Sequence, residues 1–180
     1  MLRAHYKNIA LQPFTEQLDV TCYDVVKNLC EMTRKQAEKL NHLESHNQTS
    51  QYVLLCSKLT EEVSNFIKYR KEQLIPYIQK LYDKHETGHD CSNCKGGCNL
   101  QHSVWLLQIR ESHGEIKDTL YRLQMAMLPL YSETIYPDEY RILRNQMALL
   151  ENNLTELLFL EENYLLPKIT EAQKNINARS

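Results

Sequence analysis

The stretch that decides the fold is residues 143–165, LRNQMALLENNLTELLFLEENYL. It offers a spaced apolar series at Leu143, Met147, Leu150, Leu154, Leu157 and Leu165, with Glu161 in the same series. Steps of three and four alternate nearly throughout. That spacing puts one stripe of side chains on one face of a helix and predicts that the stripe packs against other helices. Working outward, the same spacing recurs three times. An earlier segment carries Cys22, Val26, Leu29, Thr33, Ala37 and Leu40. The next carries Leu59, Val63, Phe66, Arg70 and Leu74, and the third Leu106, Ile109, His113, Ile116, Leu120, Leu123 and Met127.

Turn residues separate these segments. SHNQTS (45–50), HETGHDCSNCKGGCN (85–99) and PLYSETIYPDE (129–139) read as connections. The expected helices run from about Thr15 or Asp19 to His42, and over about 50–84, 99–128 and 139–173. Thr15 suits an N-cap, and Asp138 after Pro137 suits a helix start. Residues 1–14 read as an irregular arm, 15–175 as one bundle with a Cys/His-rich loop at 85–102, and 176–180 as a tail. The expectation is an all-α fold, an antiparallel up-down-up-down four-helix bundle. Composition agrees: four glycines and five prolines in 180 residues are too few for the turns of a β fold.

Lys and Arg number 21 against 23 for Asp and Glu, a net charge of −2, which argues against a nucleic-acid partner. No run is apolar enough to span a membrane, and MLRAHYKNIALQPF has no secretory h-region. The expected location is cytoplasmic. Cysteines there read as thiols or metal ligands rather than disulfides.

Three polar residues interrupt the apolar series in mid-helix: Arg70, His113 and Glu161. A buried charge without a partner is costly, so Arg70 and Glu161 are expected to form a buried ion pair. Each stands six residues before a proline, Pro76 and Pro167. FIKYRKEQLIPYI (66–78) and LLFLEENYLLPKI (157–169) therefore align without gaps. A proline within a helix removes one hydrogen bond and bends it.

LLFLEENYLLPKI resembles the fourth-helix pattern H-x-x-x-E-(E/N)-N-x-L-F-P of hemerythrin-like domains, and most nearly that of the di-iron proteins associated with repair of iron–sulfur clusters. FIKYRKEQLIPYI is similar to the second helix of that group, H-x-x-x-E-E-x-x-L-F-P. IRESHGEIKDTLYRL (109–123) is similar to its third helix, built on Glu-His, and YDVVKNLCEMTRKQAEKL (23–40) to its first, which carries a His-His pair. The resemblance covers about residues 20–170 and implies a hemerythrin-like bundle. Of the ligands it implies, His113 and Glu161 are present as residual candidates. The other positions hold Leu29 and Cys30, Phe66 and Arg70, and Leu157. Two side chains do not complete the coordination of two irons. A di-iron centre is therefore not expected, and the ion pair Arg70–Glu161 is expected to replace the metal, with Phe66 and Leu157 filling space left by imidazoles. A single metal on His113, Glu161 and Cys30 is the competing reading.

Outside the bundle seam, Cys91-x2-Cys94-x3-Cys98-x3-His102 offers thiolate and imidazole ligands in a glycine-containing loop. That set suits a tetrahedral Zn²⁺, with an iron–sulfur cluster, a thiol redox switch or an unliganded loop as alternatives. Asn99 would cap the third helix and turn His102 back toward the loop. The functional expectation is a non-enzymatic metal-binding or sensor protein using this loop. The alternatives are a protein of iron–sulfur repair or of O₂ or nitric oxide response that binds iron, and a cofactor-free helical interaction module. Expected partners are iron–sulfur or other metalloproteins, and a homodimer stays open.

Overall fold

A computed structural model describes residues 6–41, 47–87, 97–127 and 138–178. Every regular element among them is helical. Helix α1 runs as Leu11–Leu18, a wide π-helical turn Asp19–Tyr23, and Asp24–Asn41. Helix α2 runs as Asn47–Tyr69, a π turn Arg70–Leu74, and Ile75–Thr87. Helix α3 is Gly97–Met127, and α4 runs as Asp138–Leu160, a π turn Glu161–Leu165, and Leu166–Ala178. No helix among the described residues is long and apolar enough to cross a membrane.

The main body of α1 packs on the first parts of α2 and α4, and α2 packs on α3. Leu11–Leu18 touches the last parts of α2 and α4, which also touch each other. One apolar core runs through all four helices. Every apolar residue expected on the α4 seam is buried, from Leu143 to Leu165, as are Leu59, Val63, Phe66 and Leu74 on α2. Burial of this kind supplies the main stabilising term, about 25 cal/mol per Å² of apolar surface.

The helix ends differ from the sequence reading. The first helix begins at Leu11, not Thr15, so residues 1–14 are not an irregular arm throughout. Pro13 is accommodated because the N–H groups of the first turn have no partner within the helix. Thr15 does not cap; its hydroxyl donates to Leu11 O at 2.8 Å. Lys168 on α4 holds the segment before the helix, its Nζ donating to Lys7 O at 3.0 Å and Ile9 O at 2.6 Å. Asn99 lies inside α3, which starts at Gly97, so it is not a cap.

Each π turn carries one extra residue, and this shifts the seam. On α1 the buried series is Leu18, Tyr23, Val26, Cys30, Thr33, Ala37 and Leu40. Tyr23 follows Leu18 by a step of five positions, so Tyr23 points inward where Cys22 was expected, and Cys22 is partly exposed. Leu29 likewise gives way to Cys30. On α2 and α4 the π turns start at aligned positions, Arg70 and Glu161, and each closes with an N–H five residues on, Ile75 to Arg70 O and Leu166 to Glu161 O. The following residues are Pro76 and Pro167, whose rings would clash with the carbonyl four positions back in a regular helix. The chain absorbs the proline by widening.

Candidate functional site

Glu161 stands at the start of the α4 π turn and is fully buried, as is Arg70 at the start of the α2 π turn. Arg70 Nη2 donates to Glu161 Oε2 at 3.0 Å, and Arg70 Nε donates to Oε1 at 3.0 Å and Oε2 at 3.2 Å. The planar guanidinium meets the carboxylate side-on, a fork that a lysine could not form. On α3, His113 Nε2 lies 2.7 Å from Glu161 Oε2. From α1, the Tyr23 hydroxyl donates to Glu161 Oε1 at 2.6 Å. All four helices therefore meet on one carboxylate.

The surroundings support this arrangement. The Arg70 guanidinium carbon sits 4.1 Å from the centre of the Phe66 ring, a cation–π contact one turn back on the same helix. Arg70 Nη2 also reaches Ser112 Oγ at 3.2 Å. Its Nη1 is buried and has no hydrogen-bond partner. His113 Nδ1 lies 3.1 Å from Glu162 Oε1, and Lys117 bonds the same carboxylate. Lys71, within the α2 π turn, brackets the π turn of α1 with bonds to Asp19 at 2.6 Å and Asp24 at 2.8 Å. The three π turns thus lie side by side around Glu161. Such turns re-aim side chains that a regular helix would point elsewhere.

Electrostatics follow from the contacts. Burial pushes the Glu161 carboxyl up, but the Arg70 charge and the His113 and Arg70 hydrogen bonds outweigh it and hold it down at about 2. Burial, then the Glu161 charge, raise the Tyr23 hydroxyl well above its ordinary range, so it stays a donor. Burial raises the Cys30 thiol to about 12. Among the described residues His113, Glu161 and Cys30 are not placed as a group that could hold one metal. Leu157, Phe66 and Cys30 are buried, while Leu29 is only partly so.

The di-iron group implied by the resemblance does not fit these residues. The carboxylate that would bind it is taken up by three donors. A fixed guanidinium charge lies against it, and both nitrogens of His113 face carboxylates. Among the described residues no group of three His, Cys, Asp or Glu side chains is placed to hold a metal ion.

At the loop, Cys91 and Cys94 lie outside the described residues, as does the side chain of Cys98. His102 is described. It is nearly buried on α3, with Nδ1 3.0 Å from the Tyr77 hydroxyl. Burial lowers its pKa, which favours the neutral imidazole that ligates metals. Tyr23, Ser112 and Glu162 were missed in the sequence. Tyr23 had a usable signal, five residues after buried Leu18, but only if the extra residue of a π turn is allowed.

No family model, curated protein or solved structure matches the chain.

Proposed function

We propose that the chain is a hemerythrin-like antiparallel up-down-up-down bundle, with an ion pair where that family carries two irons. It acts without catalysis, as a metal-binding or sensor protein through Cys91, Cys94, Cys98 and His102. Pairings between helices support the antiparallel arrangement, since partner numbers run in opposite senses. On α2 and α3, Glu62 pairs with Thr119, Tyr69 with Gln108 and Tyr77 with His102. On α1 and α4, Tyr23 pairs with Glu161 and Gln36 with Glu139.

The observation that carries the reading is the sealed, charge-balanced environment of Glu161. Arg70 and Glu161 have no solvent exposure, so no substrate reaches them. Every acceptor direction of the carboxylate is used, so none is left for a cation. Chemistry is thereby displaced to the end of the bundle where His102 sits. There, the Tyr77 bond to Nδ1 leaves Nε2 as the nitrogen for a ligand. Metal-bound histidines are commonly oriented through the other ring nitrogen in this way. A metal held by three thiolates and this imidazole would supply a structural or redox-responsive clamp on the loop.

Metal analysis of protein purified without oxygen tests this reading. One zinc or one cluster, lost in Cys94→Ser while helical circular dichroism persists, supports it. Two irons that vanish in His113→Ala would overturn the account of the core. Absence of metal, unchanged by added zinc, leaves the bundle as a cofactor-free interaction module.

A further inference from the structure

Helix α3 presents an apolar stripe to solvent on the face opposite its buried one. Leu107 is 57% exposed and Tyr121 61%, and Met125 is exposed one turn beyond Tyr121. Midway between Leu107 and Tyr121, seven residues from each, stands Gly114. A Cβ added at Gly114 would meet nothing within 4 Å. Packing within one chain therefore gives no reason for glycine, although glycine in a helix interior costs about 1 kcal/mol relative to alanine. The missing side chain leaves room for a backbone that approaches from outside.

The flanks of the stripe are charged and opposite in sign. With about 100° of rotation per residue, Arg110 and Lys117 fall roughly 40–60° to one side of Gly114. Glu111 and Asp118 fall roughly 40–60° to the other side. All four are exposed. Lys117 also reaches Glu162, and Asp118 reaches Arg122, within the chain.

We infer that this face binds a second copy of the chain, with the two α3 helices parallel and crossing at Gly114. A two-fold axis along the helices sets the basic flank of each copy against the acidic flank of the other, Arg110 opposite Glu111 and Lys117 opposite Asp118. Leu107 then meets Leu107, and Tyr121 meets Tyr121. An axis perpendicular to the helices would set acidic against acidic and basic against basic, which disfavours the antiparallel dimer. The missing side chain at Gly114 lets the two backbones approach closely. The stripe from Leu107 to Met125 is about 27 Å long and one helix wide. That is small for a stable interface, so the dimer forms in a concentration-dependent way.

Sedimentation of the full chain over a range of concentrations, with charge exchange, tests the arrangement. Arg110→Glu alone and Glu111→Arg alone should each weaken self-association on the order of tenfold, because each unbalances two symmetric pairs. An equimolar mixture of the two variants should associate again, since Glu at 110 then faces Arg at 111 across the axis. Under mild oxidation Leu107→Cys should cross-link to itself above the wild-type background. A chain that stays monomeric at every concentration overturns the inference. So do single variants that associate like wild type, or cross-linking seen only between Leu107→Cys and Tyr121→Cys. Circular dichroism of each variant separates loss of association from loss of fold.

Discussion

Glu161 accepts hydrogen bonds from a residue on each of the other three helices, whereas Arg70 relies on Glu161 for most of its own. That asymmetry makes a prediction for a double-mutant cycle. Glu161→Leu strands a guanidinium, an imidazole and a phenol, and should cost roughly 3–5 kcal/mol in denaturant unfolding. Arg70→Met leaves Glu161 with His113 and Tyr23 and should cost less. The double variant should cost less than the sum of the two, and strictly additive losses would show that the pair does not interact. Tyr23→Phe removes one bond to a charged acceptor and should cost roughly 1.5–3 kcal/mol. The pH dependence has a definite sign. The folded pKa of Glu161, about 2, lies below its ordinary 4.5. Its contribution is present above about pH 4.5 and is lost as pH falls through about 2. Glu161→Gln should flatten the acid limb of stability against pH, and an unchanged limb would count against the assignment.

At the scale of the element, the three π turns and the plain helix α3 behave differently. Pro76 and Pro167 explain the turns of α2 and α4, because each ring excludes a regular hydrogen bond. No proline follows the turn Asp19–Tyr23 on α1. There the extra residue brings Tyr23 to Glu161, and Lys71 braces Asp19 and Asp24 from the neighbouring turn. Helix α3 is regular from Gly97 to Met127, and its one anomaly is Gly114 in open space. Gly114→Ala should raise the unfolding free energy of the dilute, monomeric chain by about 0.5–1 kcal/mol, through backbone entropy. Thermal melts at low concentration measure this. A loss of stability there would mean that Gly114 is already packed within one chain.

At the scale of the whole molecule, packing between the helices builds the apolar core of the described residues. Among the described residues the apolar cluster runs from Phe14 on α1 to Ile176 on α4. A chelator strong enough to strip zinc should therefore leave the melting temperature of the bundle nearly unchanged, while Cys94→Ser removes the metal. Small zinc domains that lack a core of this kind unfold on chelation. A large drop in melting temperature with chelator would place the metal within the fold-determining core and would contradict the sealed, ion-paired centre.

Periodicity alone carried the helical class, because a stripe repeating every three to four residues fits no other element of such length. It also marked Arg70, His113 and Glu161, since charges in mid-seam are conspicuous where everything around them is apolar. Two prolines at matched distances from Arg70 and Glu161 pointed to equivalent slots. Tertiary structure alone decided how those slots are filled. Tyr23 replaced Cys22 on the seam because a π turn adds one residue, and a fixed 3.6-residue period cannot register that addition. Ser112 and Glu162 joined the site because neighbouring helices bring them there, at 42 and 49 residues from their partners. The two flanks beside Gly114 were written in the sequence from the start. The seam of α3 was legible too, since His113, Ile116 and Leu123 face the core as their spacing predicts. That a side chain at Gly114 would meet nothing within 4 Å was decided only by the tertiary structure, because a local repeat fixes spacing along one helix but not what the rest of the chain brings near it.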